Sequence, residues 1–128
     1  MATRTIKGTL DTFQVDAGSE ITYLGNTSAG STGGLNIRGF RVNPGTTGNI
    51  TVTLTSTTGI DTMEIFQEDS YTAGSAPSGY TKFSNIVQAG KGKGAVGVTV
   101  TDASKNYVVL LRLDGYSEVQ YTGSVVVP

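Results

Sequence analysis

The side chains able to do chemistry in this chain are carboxylates, lysine amines and hydroxyls, because the sequence contains neither histidine nor cysteine. Asp61 and Glu64 share one segment, IDTMEIFQED, which ends on the adjacent acids Glu68 and Asp69. Such acids could bind calcium or act as the acid and base of glycoside hydrolysis. Calcium takes about six to eight oxygens, often from a D-x-[DN]-x-[DN]-G loop, and no such loop occurs. A looser oxygen site on Asp61, Glu68 or Asp69 stays an open alternative. Glycoside hydrolysis needs two carboxyls facing each other across a cleft, a geometry that ten scattered acids do not specify.

Nucleophilic chemistry has weaker support. Serines and threonines are plentiful, but a base must activate them, and only five lysines could replace the absent histidine. There is no S-x-x-K. The stretch GKGAVG, Gly92 to Gly97, fits G-x-G-x-x-G. A dinucleotide fingerprint, however, needs a strand before it, a helix after it and a later acid. Here Val96, Val98 and Val100 alternate as a strand does, so the stretch reads as a glycine-rich hairpin loop carrying Lys91 and Lys93. Without cysteine there is no disulfide framework or thiolate zinc site. The expectation is a protein that is not an enzyme, with no cofactor and no metal.

Binding chemistry is the alternative. Tyr71, Tyr80, Tyr116 and Tyr121 lie in or beside loops, where rings can anchor a protein or stack on a sugar. The absence of tryptophan weakens the sugar reading. Net charge is −1, and Lys and Arg occur singly. Nucleic-acid binders concentrate basic residues on one face, so no nucleic-acid partner is expected. Two glycosylation sequons, at Asn26 and Asn49, matter only for an exported chain. The N-terminal MATRTIKGTLDTF has no apolar signal core, and no apolar run approaches the roughly 20 residues of a membrane span. The chain is therefore expected to be made in the cytoplasm, without export through its own signal and without a membrane partner.

The elements that must position these residues are strands. The 128 residues suffice for one domain over 1–128. No window shows apolar residues at helical spacing over three turns, whereas period-two alternation recurs between glycine, asparagine and aspartate. Strands are predicted at 4–8, 12–15, 20–24, 35–42, 49–55, 60–67, 80–86, 95–101, 106–114 and 117–127. GNTSAGSTGG, residues 25–34, reads as an exposed loop. In LNIRGFRV the apolar residues change parity at Gly39, which predicts a β-bulge there. In NITVTLT, Ile50, Val52 and Leu54 face the core, and Thr51, Thr53 and Thr55 form a threonine face open to water or a partner. The strand 107–113 is apolar on both faces except for Arg112, so it belongs in the middle of a sheet. Gly59 makes a tight connection to the next strand. Asp61 is placed on the pleat face of Met63 and Ile65, satisfied by backbone amides. About eight to ten such strands predict an all-β, antiparallel sandwich, jelly-roll-like, with an extended N-terminal segment.

From about Thr46 to Val127 the chain resembles the bacterial pre-peptidase C-terminal domain, a small β-sandwich. The resemblance rests on Ile50, Val52, Leu54, Gly59, Asp61, Met63, Ile65 and Phe66, then on Asn106-Tyr107-Val108-Val109 and Val119-Gln120-Tyr121-Thr122. It implies the sandwich and, as one reading, a secreted or surface binding module for carbohydrate or calcium. In style, a Thr/Gly-rich β-domain without Cys or His is similar to the capsid decoration (cement) proteins of tailed phages. The leading expectation is a virion structural protein on the capsid surface. Its partners would be the major capsid protein or other virion subunits, with homo-oligomer formation possible. The expected contacts are an N-terminal arm, 1–10, with Ala2, Thr3, Arg4, Thr5 and Ile6 pairing to a neighbour's sheet edge, and Thr51, Thr53, Thr55, Tyr71 and Tyr80. Asp61, Gly39 and Gly59 are expected to be structural.

Overall fold

The computed structural model describes residues 1–29, 36–68, 74–76, 80–83, 86–113 and 118–128. Among them there are twelve strands and no helix. They are β1 (Ala2–Thr9), β2 (Phe13–Val15), β3 (Ile21–Ala29), β4 (Ile37–Val42), β5 (Gly48–Thr58), β6 (Ile60–Glu68), β7 (Gly74–Ala76), β8 (Tyr80–Phe83), β9 (Ile86–Gly92), β10 (Ala95–Val100), β11 (Asn106–Leu113) and β12 (Gln120–Val127). A five-stranded sheet runs β10-β5-β12-β1-β2, and a seven-stranded sheet runs β7-β8-β3-β4-β11-β6-β9. Neighbours are antiparallel except β3 and β8, which pair in parallel through Thr27–Ala29 and Thr81–Phe83. The protein is a β-sandwich.

The alternation read in the sequence builds the core between the sheets. Ile50, Val52 and Leu54 of β5 and Val96, Val98 and Val100 of β10 face Phe40, Val42, Met63 and Ile65 of the other sheet. The two-sided apolar strand is β11, held between β4 and β6 in the middle of its sheet. Tyr107, Val109 and Leu111 join the inter-sheet core, while Val108 and Leu110 face outward into a second cluster with Ile37, Phe66 and Phe83. That second cluster covers apolar surface that one packed face alone would leave in water.

Three expectations are corrected. Residues 2–9 are not a free arm. They form β1, paired along its length with β12 and with β2 at Ile6–Gly8, and Ile6 is fully buried. On the β12 side its main-chain groups are occupied along the whole strand, and β2 with Asp16 covers the other side from Thr5 to Gly8, so the segment is part of this chain's own sheet and not an arm free to leave it. The bulge predicted at Gly39 lies in the adjacent strand, where β3 shifts register between Tyr23 and Gly25 while β4 pairs with β11 without a break. Both faces of β4 are buried, so its parity change needed no bulge. Gly39 has another cause: a Cβ there would come within 2.6 Å of the Thr27 hydroxyl oxygen and 3.1 Å of Leu110. Finally, residues 25–29 of the expected loop continue β3; residues 30–35, including Leu35, lie outside the described residues.

Candidate functional site

Two surfaces gather the residues singled out in the sequence. The first is the outer face of the five-stranded sheet. Register places Gly97, Thr51, Val126 and Thr3 in one row across four strands, and Ala95, Thr53, Ser124 and Thr5 in the next. Because side chains alternate along a strand, these eight residues share a face. All are small or β-branched, and none is charged. The next row adds Thr122 and Lys7. Here β5 carries a bulge, with Thr55 the extra residue between Leu54 and Ser56, and the Thr55 hydroxyl donates to the Thr122 carbonyl at 3.2 Å. A groove of about 310 Å³ continues the face toward Gly8, Thr9, Gln14 and Gln120.

Of the expected arm residues, Thr3 and Thr5 belong to this face, whereas Ala2, Arg4 and Ile6 point the other way. Arg4 forms an ion pair with Glu20. The Arg4 guanidinium, hydrogen-bonding the Glu20 carboxylate, holds that carboxyl below the usual glutamate range, although partial burial opposes the shift. Tyr71 and Tyr116 lie outside the described residues, and Tyr80 opens β8. Tyr121 is 2% exposed and belongs to the core, not to a binding surface. Burial pushes its phenol well above the ordinary tyrosine range.

The second surface is a cleft of about 260 Å³ at one end of the sandwich. Here the chain crosses between sheets twice. It passes from β5 to β6 through Gly59 and from β9 to β10 through Lys93 and Gly94. Both glycines have φ of +79°, a conformation that costs residues with a Cβ about 1–2 kcal/mol. The Leu54 amide donates to the Gly94 carbonyl at 2.7 Å and ties the crossings together. GKGAVG thus ends β9, turns at Lys93 and Gly94 and opens β10: its alternating valines form a strand as expected, but the stretch crosses between the sheets and is not a hairpin loop, and Lys91 lies within β9.

Asp61 opens into this cleft, which corrects its expected position. On β11, Arg112 pairs with Thr62 but Leu113 pairs with Ile60, so Asp61 is an extra residue in a bulge. The bulge interrupts the two-residue alternation. Met63 and Ile65 stay in the core while Asp61 turns to solvent, its side chain 48% exposed. Its partner is Lys93, with Nζ 3.7 Å from Oδ1, and not a set of backbone amides. Thr55 and Thr57 also line the cleft; the Thr62 hydroxyl oxygen is buried without a hydrogen-bond partner and does not open into it.

Two other acids of this segment, Glu64 and Glu68, are in ion pairs on the outer face of the seven-stranded sheet. Glu68 is 4% exposed, and its two oxygens accept from Arg41 Nε at 2.9 Å and Nη2 at 3.1 Å. Glu64 accepts from Gln88 at 2.8 Å and pairs with Arg112 at 3.3 Å. Asp69 lies outside the described residues. Among the described residues, no three acids gather as metal ligands would. Sequence reasoning missed the Arg41–Glu68 pair, since 27 residues separate its members and only the sheet order brings them together.

Comparison with family models, curated proteins and solved structures finds no match to this chain.

Proposed function

We propose that the protein is a non-enzymatic structural component that docks through the outer face of its five-stranded sheet onto a larger protein assembly. The assembly favoured by the sequence style is a tailed-phage capsid, with the chain as a decoration subunit on the coat. The observation carrying this reading is the pair of uncharged rows, Gly97-Thr51-Val126-Thr3 and Ala95-Thr53-Ser124-Thr5. Threonine presents a methyl group and a hydroxyl on a stiff side chain. Such a face loses little rotamer entropy on contact, and its exclusion of charge suits the core of an interface.

Four strands about 4.8 Å apart, the shortest of them six residues long, share a face of roughly 19 by 20 Å, or about 400 Å² in plan. A standard interface buries about 800 Å² per partner. The face and its adjoining groove therefore suit a modest contact per copy, repeated over a particle. Docking by a preformed face replaces strand donation, since β1 is already committed within its own sheet. Coat subunits would be stabilised by linkage, because a ligand that prefers the assembled state raises the free energy of dissociation.

The test is co-expression with the major capsid gene of the genome that encodes the chain, followed by sedimentation of the particles. Co-sedimentation is expected, and Thr51→Lys with Thr53→Glu should abolish it while the purified variant keeps its thermal transition. A genome with no capsid gene, or a chain that stays at the top of the gradient, overturns the proposal.

A further inference from the structure

β6 ends at Glu68 and β9 begins at Ile86, and these two residues pair with each other. The chain between them is therefore an excursion whose ends are pinned side by side. Within it lie β7 and β8, paired as a hairpin. Among the described residues, the hairpin's one ladder to the rest of the sheet is the parallel pairing of Thr27–Ala29 with Thr81–Phe83. A contact with Arg41 shows where the hairpin lies. Arg41 pairs with Thr22 of β3, and Phe83 pairs with Ala29, seven residues further along the same strand. On a flat strand that separation is about 23 Å, yet the Phe83 ring centroid is 6.0 Å from the Arg41 guanidinium. The end of β3 and the hairpin thus fold back over the outer face of the seven-stranded sheet. There Phe83 is buried in one cluster with Ile37, Phe66, Val108 and Leu110.

We propose that the β7–β8 hairpin is a flap that opens and closes over this apolar seat while the sandwich stays folded. The protein then alternates between a form that hides the seat and one that presents it. Opening breaks little. The ladder to β3 is short and parallel, the less stable kind of pairing per residue. β6 and β9 keep their register, because the excursion begins and ends on one rung. The seat keeps its shape, since β11, which carries Val108 and Leu110, is held between β4 and β6. Two features favour the open form. Thr27 Oγ1 is buried with no hydrogen-bond partner among the described residues, a state that access to water relieves. Arg41 and Glu68 form a buried ion pair beside Phe83, and ions held out of water regain hydration when uncovered. Against both stands the burial of the Phe83 ring, which removes apolar surface from water. Openings below the level of global unfolding arise in segments held by few ladders and few buried contacts, which describes this hairpin. The seat lies on the other sheet from the docking face, so the inference does not depend on the docking reading.

The test is amide hydrogen exchange followed by NMR, at a series of urea concentrations below the unfolding transition. The protected amides among residues 27–29 and 81–83 are expected to exchange together, roughly a hundredfold faster than those of β11 and with a shallower urea dependence. Phe83→Ala should speed this exchange about tenfold or more and increase binding of a hydrophobic dye, with the circular dichroism of the sandwich retained. Thr27→Val removes the unpartnered hydroxyl at nearly constant shape and should slow the exchange severalfold, the opposite direction from a loss of packing. Exchange of these amides with the urea dependence of β11 overturns the inference, because the hairpin then opens only when the whole chain unfolds. Exchange at the rate of an unstructured chain overturns it too, since no closed flap then exists. So does a Phe83→Ala variant that fails to fold or binds no more dye than the parent, or faster exchange in Thr27→Val.

Discussion

Replacing Glu68 with alanine should be among the most damaging single changes on the outer face of the seven-stranded sheet. Glu68 ends β6, is 4% exposed, and receives two hydrogen bonds from Arg41, whose side chain is itself only 17% exposed. The Arg41 guanidinium also sits over the Phe83 ring, 6.0 Å from its centroid. Removing one member of a buried pair leaves the other charge poorly solvated, at a cost of about 3–5 kcal/mol. With a urea m-value of about 1.5 kcal/mol/M, the unfolding midpoint should fall by roughly 2–3 M. That is a large share of a total stability of about 5–15 kcal/mol. Replacing both partners, as Arg41→Met with Glu68→Leu, removes both buried charges and should leave stability within about 1 kcal/mol of the parent, or above it. The assay is equilibrium unfolding in urea followed by tyrosine fluorescence and circular dichroism, arranged as a double-mutant cycle. A loss below about 1 kcal/mol for Glu68→Ala would refute the reasoning, which predicts a cost set by desolvation. Additive losses in the double variant would refute it equally.

Other outcomes follow from the same geometry. Asp61→Ala should change stability by no more than about 1 kcal/mol, because the Lys93 pair is exposed; thermal unfolding checks this, and a larger loss would restore the buried, backbone-bonded placement. Gly39→Ala should cost about 1–3 kcal/mol by overpacking against Thr27 and Leu110, measured in urea. Gly59→Ala should cost about 1–2 kcal/mol for its positive φ, with a further penalty where its Cβ would meet Val119 at 3.0 Å. The Arg4–Glu20 pair lowers the Glu20 pKa, so its stabilisation is present above the ordinary glutamate value of about 4.3 and is lost as pH falls through the lowered value. Arg4→Met should flatten that part of the stability–pH curve. Burial raises the pKa of Tyr23, Tyr107 and Tyr121, so the stability contributed by their neutral forms is complete below about pH 10 and declines as pH rises beyond it. Tyr121→Phe should reduce this alkaline loss.

Local patterning determined the class of this protein and most of its strands. Alternation at 49–55 put Ile50, Val52 and Leu54 inside, and the unbroken apolar run at 107–113 marked a central strand, because burial on two faces leaves no polar positions. The threonine face was legible for the same reason: one pleat face was already occupied by core residues. Tertiary structure alone decided how the pieces combine. Whether β1 reached out or folded back depended on β12 offering an edge more than a hundred residues away, which no local pattern encodes. The parity change near Gly39 looked like a bulge because the sequence does not reveal that both faces of β4 are covered. Asp61 was misplaced for the converse reason, as the bulge that turns it outward arises from the register between β6 and β11. Period-two reasoning assigns a face only while register holds, and a single added residue reverses it. The cleft is a product of those same tertiary facts. Its two crossings, Gly59 and Gly94, meet only because both β5 with β10 and β6 with β9 are neighbours in their sheets, and this pairing brings Asp61 to Lys93.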